Sequence, residues 1–478
     1  MSNPEITTAN AASGQSSNQS SAASGKYEID MCHGSLLDKL ILFALPLMLS
    51  SILQLMFNAV DLVVVGRFSG SNALAAVGST TALISVFTTL FMGISQGSNV
   101  LAAQLYASGR EKEMSDTVHT SILLALVSGV VMAVVGLVAA RGALILMDTP
   151  DNVLDQAALY MQIYFLGMPF FMLYNYGAAI LRAVGDTRRP LVFLVISGIT
   201  NACLNVFLVA VFHLDVAGVA IATVISQMIS CILVLRCLRK TTACYRLSWH
   251  KLSLNPWCVQ QICRVGIPAG IQSTVINFSN VLLQSSVNSF GSTAMAGYTA
   301  ANNLFGFLYV SVNSVTQTCM SFTSQNYGAG QWKRMGKVLG ECLCLTTAVS
   351  LVMGGCFYGF GPYILQLYTE ESAVIQAAME ILSYTTLTYF CCGIMDLFPG
   401  ALRGMGYSTA PMIFSIIGTV GIRLIWIYGV FPFHRSLAVL FISYPVSWII
   451  TIVMQAICYL VVRKRLWGHS KTDRNAFH

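Results

Sequence analysis

The feature that most constrains this chain is a succession of apolar runs, each about 20 to 30 residues long. A helix needs about 20 residues to cross the hydrocarbon core of a bilayer. Lipid offers no water to unpaired backbone groups, so only helices and closed barrels can span it. The period-two alternation of barrel strands is absent, and only 9% of the residues are charged. The sequence therefore predicts an all-α membrane protein.

Twelve membrane-spanning helices can be placed on these runs, with polar or basic segments between them. The predicted helices cover residues 37–66, 74–106, 117–140, 157–181, 190–212, 216–238, 258–289, 294–325, 337–360, 374–401, 411–431 and 436–462.

The distribution of basic residues predicts the orientation of these helices. Of the 26 Lys and Arg residues, 22 fall on the side that holds the N-terminus, three on the other side (Arg67, Arg141 and Arg435) and one, Arg423, within a span. This asymmetry predicts a multi-pass protein of the cytoplasmic (inner) membrane with both termini in the cytoplasm. The net charge of +7 is then explained by contact with the anionic lipid bilayer, so no nucleic-acid partner is predicted.

The second half of the chain repeats the first at a spacing of 221 residues (292 − 71), which we call the repeat offset, and upstream one deletion raises this spacing to 222 (280 − 58). Residues 71–114 align with 292–335 without a gap, and residues 181–185 (LRAVG) align with 402–406 (LRGMG). Each half holds an even number of spans, so we predict two six-helix lobes related by a parallel internal repeat, with the substrate path between them. The predicted domains are a disordered cytoplasmic N-terminal tail (1–33), an N-lobe (34–238), a cytoplasmic linker (239–257), a C-lobe (258–465) and a cytoplasmic C-terminal tail (466–478).

Asp61 is the strongest candidate for a functional carboxylate, because ionisable groups are costly within a membrane. Gln54, Asn58 and Asp61 are spaced i, i+4 and i+7, which places them on one face of the first helix. We interpret this face as the wall of a central cavity. The alternative is a carboxyl that is hydrogen-bonded between helices for structure alone. The candidate cavity residues are Gln54, Asn58, Asn175, Tyr176, Asn280, Gln284 and Asn302.

A buried arginine in the second half also needs an explanation. Arg423 lies about midway along the eleventh predicted helix, and Asp396 is the nearest carboxylate by predicted depth. We predict an Asp396–Arg423 ion pair, which either gates the path between the lobes or stabilises the fold. Glu380 is a second possible partner.

Three motifs resemble those of the multidrug and toxic compound extrusion (MATE) family. They are residues 59–67 (AVDLVVVGR), the two LRxxG loops and residues 216–226 (VAGVAIATVIS), and the similarity extends from about Gly34 to Arg465. The resemblance implies a secondary antiporter, with H⁺ or Na⁺ entering as an amphipathic, mostly cationic small organic molecule leaves. It also implies rocking-type alternating access, a monomer and no cofactor besides a possible Na⁺.

The resemblance further implies a cation-binding cluster in the N-lobe. Family members that bind a cation there have an Asn-x-x-x-Asp pair and a Thr beside the Asp of the first helix. Asn201 and Thr223 match this pattern, whereas Asn205 replaces the second Asp. One carboxylate fewer weakens a site for a hard cation. Because a carboxyl in an apolar environment resists ionisation, H⁺ coupling through Asp61 is favoured, and Na⁺ stays open.

Other functions are less compatible with the sequence. A flippase for a lipid-linked precursor would share the fold, but it should present several Arg or Lys to its cavity, and only Arg423 is predicted deep in a span. An enzyme is not predicted, because the spans contain no HExxH motif, paired Asp or Ser/His dyad, and no Walker motif binds ATP.

Overall fold

The computed structural model describes residues 27–147, 149–366 and 371–475, with side chains up to residue 466 except those of Ser71 and Ala82. Within this part of the chain the secondary structure is helical throughout, without a strand. Most of the predicted disordered tail, residues 1–26, lies outside the described residues. Residues 27–33 are ordered against the helices, with Met31 fully buried, so the predicted tail extends too far.

The N-lobe contains seven helices. In chain order they are α1 (Leu37–Phe68), α2 (Gly70–Ala107), α3 (Glu111–Leu146), α4 (Asp151–Leu166), α5 (Met168–Ala183), α6 (Arg188–Val206), which continues as a π-helix (Phe207–Val211), and α7 (Asp215–Lys240).

The C-lobe follows a linker of residues 241–255, which contains a short 3₁₀ turn at Trp249–Lys251. The C-terminal helix runs to Asn475 and therefore continues into the predicted tail of residues 466–478. The helices are α8 (Pro256–Asn288), α9 (Ser292–Gly328), α10 (Trp332–Gly359), α11 (Gly361–Leu365), α12 (Ser372–Thr385), α13 (Tyr389–Gly404), α14 (Thr409–Ser415), α15 (Ile422–Ile425) between π-helices Ile416–Gly421 and Trp426–Val430, and α16 (Leu437–Asn475).

Twelve of these helical units account for the predicted spans. Eight helices of the described chain are long and apolar enough to cross a membrane alone, and the bent pairs α4–α5 (47°) and α12–α13 (49°) add two more. The remaining two are α8 and α9, with 33 and 37 residues, which are long enough but more polar. Both lie beside the other lobe, where a continuous lipid-facing apolar surface is not required. The twelve-helix prediction is confirmed.

The two lobes repeat each other in backbone detail. Helix α13 begins and ends at the positions that the repeat offset assigns to it from α5, and each follows a bent partner helix. Three pairs of glycines at the same offset adopt left-handed backbone angles, which glycine tolerates at low cost because it has no Cβ. The predicted parallel repeat is confirmed. The pairs are Gly70/Gly291 (φ 87° and 96°), Gly109/Gly330 (70° and 67°) and Gly185/Gly406 (97° and 87°).

The lobes touch at one end of the bundle, which we call the linker end because it carries residues 241–255. Helices α2 and α8 meet in the half of the bundle nearer that end, through Gly93 and Gly97 on one side and Gly266 and Gly270 on the other. A Cβ atom on Gly93 would lie 2.3 Å from the backbone nitrogen of Gly270. Small residues four apart allow such close approach of membrane helices.

We call the opposite end of the bundle the open end. Among the described residues, every hydrogen bond that joins the lobes lies in the half of the bundle nearer the linker end. Gln54, Asn58 and Asn302, on α1 and α9, are exposed. We infer that the halves of α1, α2, α8 and α9 nearer the open end border a cleft between the lobes.

Candidate ion and substrate site

Asp61 lies inside the N-lobe, where α1 meets α6 and α7. Its side chain is 8% exposed, and the Nδ2 of Asn205 donates a hydrogen bond to its Oδ1. The same amide group also donates to the Oδ1 of Asn201 at 3.2 Å, and the Nδ2 of Asn201 donates to the Oγ1 of Thr223 at 3.4 Å. The four residues that the sequence predicted for ion coupling are thus joined in one hydrogen-bonded cluster.

The cluster has unused capacity for a positively charged ion. The Oδ1 of Asn205 is buried and has no hydrogen-bond partner among the described residues, although buried acceptors are nearly always paired. A proton on Asp61 would neutralise the carboxylate directly. Na⁺ would instead use the oxygens of Asp61, Asn201, Asn205 and Thr223, which are ligands of the kind that hard cations prefer.

Five of the predicted cavity residues lie on the helices that border the cleft. Gln54 and Asn58 are exposed on α1, and Asn302 is exposed on α9. Asn280 and Gln284 on α8 are partly exposed. Amide groups are costly to place against lipid, so we interpret these positions as walls of the polar cleft.

Tyr176 and Asn175, the other two predicted cavity residues, are buried in the N-lobe. Tyr176 is fully buried in its hydrophobic core, so its prediction as a cavity residue was wrong. Asn175 is 8% exposed, and its Nδ2 donates to the backbone oxygen of Phe171 at 2.8 Å. Helix α5 packs against α2, α3 and α7, which leaves little of its surface for a cavity.

The predicted Asp396–Arg423 ion pair does not form. The Nη1 of Arg423 donates to the Oδ1 of Asn280 at 2.9 Å, and its guanidinium lies 4.3 Å from the centre of the Tyr444 ring. Ion pairs within 4 Å in the described chain include neither Arg423 nor Asp396. Asp396 lies eight residues before Gly404, where α13 reaches the linker end. Arg423 lies fourteen residues beyond Thr409, where the chain starts back from the same end, so the two residues differ in depth by about 9 Å.

A symmetric pair of hydrogen bonds, which the sequence analysis missed, closes the linker end. The Nε2 of Gln104 on α2 donates to the backbone oxygen of Gly404 in the other lobe at 2.8 Å. The Nε2 of Gln325 on α9 donates to the backbone oxygen of Ala183 at 2.6 Å. The two donors are separated by the repeat offset, and so are the two acceptors. The match of the two glutamines in the internal repeat was the signal that could have identified them.

We predict that replacing both glutamines by leucine opens the linker end. Each change leaves a carbonyl oxygen without its donor at a cost of about 1–3 kcal/mol, and only the state closed at this end bears that cost. Distances between spin labels placed across the linker end should therefore shift toward longer values.

Gln455→Leu provides the matched control for this double variant. Its Nε2 donates to the backbone oxygen of Pro411 at 2.7 Å within one lobe, so it should lower stability without changing the distance distribution. An unchanged distribution in the double variant would contradict a role of the two glutamines in closing the lobes.

Residues 27–34 form a strap that connects both lobes at the linker end. The Tyr106 and Tyr245 hydroxyls donate to Glu28 at 3.1 and 2.5 Å, and the Nε of Arg334 in the C-lobe donates to the backbone oxygen of Met31 at 3.2 Å. Burial raises the pKa of Tyr245 to about 12, so its hydroxyl remains a donor at neutral pH. The strap adds further contacts to the closed linker end.

Comparison with known proteins identifies the family. The MatE family model matches residues 46–207 and again residues 268–428. The chain belongs to the MATE family. The two matches fall on the two lobes, so each lobe carries one copy of the MATE repeat. Relatives in this family are named as multidrug resistance proteins, multidrug export proteins and transporters.

Individual MATE relatives are similar along most of their length. The chain is 29% identical to the probable multidrug resistance protein YoeA of Bacillus subtilis, over 86% of this chain and 91% of that protein. It is 24% identical to the probable multidrug resistance protein NorM of Thermotoga maritima, over 81% and 84%.

Solved MATE structures share the fold. A structure of the outward-facing conformation of a multidrug resistance MATE transporter of the MOP superfamily superimposes with a TM-score of 0.83 at 19% identity, covering 92% of this chain and 98% of that one. A bent form of the Vibrio cholerae MATE transporter VcmN gives 0.82 at 18% identity, covering 90% and 97%.

Proposed function

We propose that this MATE transporter exports amphipathic, mostly cationic organic compounds in exchange for H⁺ or Na⁺ bound at Asp61. The observation that carries the proposal is the buried Asp61 cluster, a carboxylate held between helices of one lobe beside a cleft that opens at one end. The multidrug resistance names of its relatives support drug-like organic compounds as substrates and give no support to a lipid-precursor flippase.

The exchange of the bound ion for the exported compound follows from the single negative charge of Asp61. With its ion released, Asp61 carries a negative charge that attracts a cationic compound into the cleft. A proton or Na⁺ at Asp61 removes that attraction, so ion and cargo compete. Rocking of the two lobes about the contacts at the linker end would present the cleft to each side of the membrane in turn.

Asn205 favours H⁺ as the coupling ion. Its amide nitrogen donates to Asp61, whereas a second carboxylate at this position would add the negative charge that a Na⁺ site needs. One proton is sufficient to neutralise one carboxylate. Na⁺ is the alternative, because the oxygens of the cluster could serve as ligands.

We place the linker end in the cytoplasm, because the basic residues concentrate there. This orientation puts the protein in the cytoplasmic membrane with both termini inside and the cleft facing outward. A monomer contains both lobes and the whole cluster, so we propose that one chain is the functional unit.

Everted membrane vesicles test the proposal. Ethidium uptake is followed while either a pH gradient (acid inside) or a Na⁺ gradient (high inside) is imposed, with an ionophore that collapses each gradient as the control. We expect uptake with the pH gradient alone. Uptake driven only by Na⁺ would establish the alternative ion, and uptake under neither gradient would contradict export of organic cations.

We predict that Asn205→Asp adds a Na⁺ response. The second carboxylate supplies an anionic ligand at a position that is distant from Asp61 in sequence but hydrogen-bonded to it in space. Uptake by this variant should rise with the Na⁺ gradient at constant pH. Adding Asn201→Ala to Asn205→Asp removes a ligand and should reduce the response to Na⁺. If uptake by Asn205→Asp does not change with the Na⁺ gradient, the cluster does not bind Na⁺.

A further inference from the structure

Arg423 occupies an unusual position in the C-lobe. It is 3% exposed, and no carboxylate of the described chain lies within 4 Å of it. Asn280 accepts from its Nη1, and the Tyr444 ring covers one face of the guanidinium. Its Nε is buried without a hydrogen-bond partner among the described residues. Buried guanidinium groups normally have an anionic partner, so this site lacks the component that would balance its charge.

The site is the counterpart of the Asp61 cluster in the internal repeat. Tyr444 matches Thr223 at the repeat offset, and Asn280 matches Asn58 after a shift of one position. Arg423 is one residue beyond the position equivalent to Asn201. The same three helices of each lobe therefore build both sites, but one holds a carboxylate and the other a guanidinium. Each lies beside a π-helix, a feature that is frequent at functional sites.

The edge of Arg423 that remains free suits a carboxylate. A guanidinium donates two parallel hydrogen bonds from Nε and the neighbouring Nη to the two oxygens of one carboxylate. Asn280 takes Nη1, which leaves the edge formed by Nε and Nη2 without a partner among the described residues. Asn280 and Tyr444 are partly exposed, and Gln284 continues the polar face of α8 toward the open end, so the site lies at the edge of the inferred cleft.

We propose that Arg423 and Asn280 bind a carboxylate of the transported compound. The inference rests on the proposed export function and assigns the residues that distinguish compounds with a carboxylate from those without one. The cationic centre of such a compound faces the Asp61 side of the cleft, and its carboxylate pairs with Arg423. The two lobes thus select for opposite charges on one molecule.

A pair of dyes that differ in one group tests this proposal. A rhodamine ethyl ester is a cation, and the free acid of the same dye is a zwitterion. Uptake of both is measured in everted vesicles with the full-length wild type, Arg423→Gln and Arg423→Lys. We expect Arg423→Gln to lower uptake of the free acid by about tenfold or more and to leave uptake of the ester within about twofold of wild type. Arg423→Lys keeps the positive charge but loses the planar guanidinium, so its uptake of the free acid should lie between those of wild type and Arg423→Gln.

Several outcomes would overturn the proposal. An equal loss for both dyes would assign Arg423 a structural role, and an unchanged rate for the free acid would show that it does not contact the carboxylate. If uptake of the ester by wild type needs chloride, and Arg423→Gln removes that need in methanesulfonate buffer, the site binds free chloride instead. If wild type transports neither dye, the proposed function itself fails.

Asn280→Ala provides a second test in case Arg423→Gln does not fold. This change keeps the guanidinium and removes only its amide partner, so the fold is retained more readily. We expect uptake of the free acid to fall several-fold more than uptake of the ester. The same loss for both dyes, with normal amounts of protein in the membrane, would contradict the proposal.

Discussion

Replacing Asp61 by asparagine is expected to reduce gradient-driven ethidium uptake to the background of vesicles that lack the protein. Asparagine has the same shape and keeps a hydrogen bond with Asn205, but it carries no charge and takes up no proton in the physiological range. Stability should not fall, because burying a carboxylate costs more than burying an amide that keeps a hydrogen bond. Initial uptake rates under an imposed pH gradient, together with the thermal midpoint of the purified protein, measure both expectations.

Asp155→Asn is the matched control for this variant. Its side chain is 80% exposed and pairs with Arg141 at 3.1 Å, at a surface where an ion pair contributes little. The same chemical change there should leave transport and stability unaltered. If Asp61→Asn transports as fast as Asp155→Asn, Asp61 does not carry the coupling ion.

The fold was predictable because its main determinants are local or periodic in sequence. Apolar runs long enough to span a bilayer define ten of the twelve helical units directly. Helices α8 and α9 are too polar for that criterion alone, but the internal repeat aligns their sequences with those of α1 and α2. A chain that repeats itself at a constant offset provides a second, independent prediction of each element.

The candidate site was predictable only in part, because sequence spacing fixes the face of a straight helix but not its depth or surroundings. Asp61 and Asn205 come together because their helices are neighbours within one lobe. Tyr176 was misplaced because α5 is enclosed on several sides, which spacing along one helix does not reveal. Asp396 and Arg423 were paired by approximate depth, and an error of about six residues on antiparallel helices separates two side chains by about 9 Å.

The contacts between the lobes were the least accessible to prediction. Gln104 and Gly404 are 300 residues apart in sequence, and the acceptor is a backbone oxygen that any residue could provide. Only the matched glutamine in the other lobe indicates that the position matters. The close approach of α2 and α8 was equally hard to predict from the sequence. Glycines are common in membrane helices, and their positions in the sequence do not show which of them contact a neighbouring helix.

Gly93→Val is expected to prevent closure of the linker end and thereby to abolish transport. Its Cβ would lie 2.3 Å from the nitrogen and 2.4 Å from the Cα of Gly270, and backbone atoms cannot move aside as a side chain can. The state closed at the linker end should become inaccessible, so spin labels across that end should report only the separated distance. Gly270→Val on α8 should have the same effect, because its Cβ would lie 2.4 Å from the backbone oxygen of Leu90.

Gly78→Val is the matched control on the same helix. A Cβ at Gly78 meets no atom of the described residues within 4 Å, so the identical substitution tests valine in α2 without the clash. It should retain transport and the closed distance, with at most a small change in stability. Equal transport by Gly93→Val and Gly78→Val would mean that α2 and α8 need not approach so closely in any state of the cycle. The rocking mechanism would then require a different contact between the lobes.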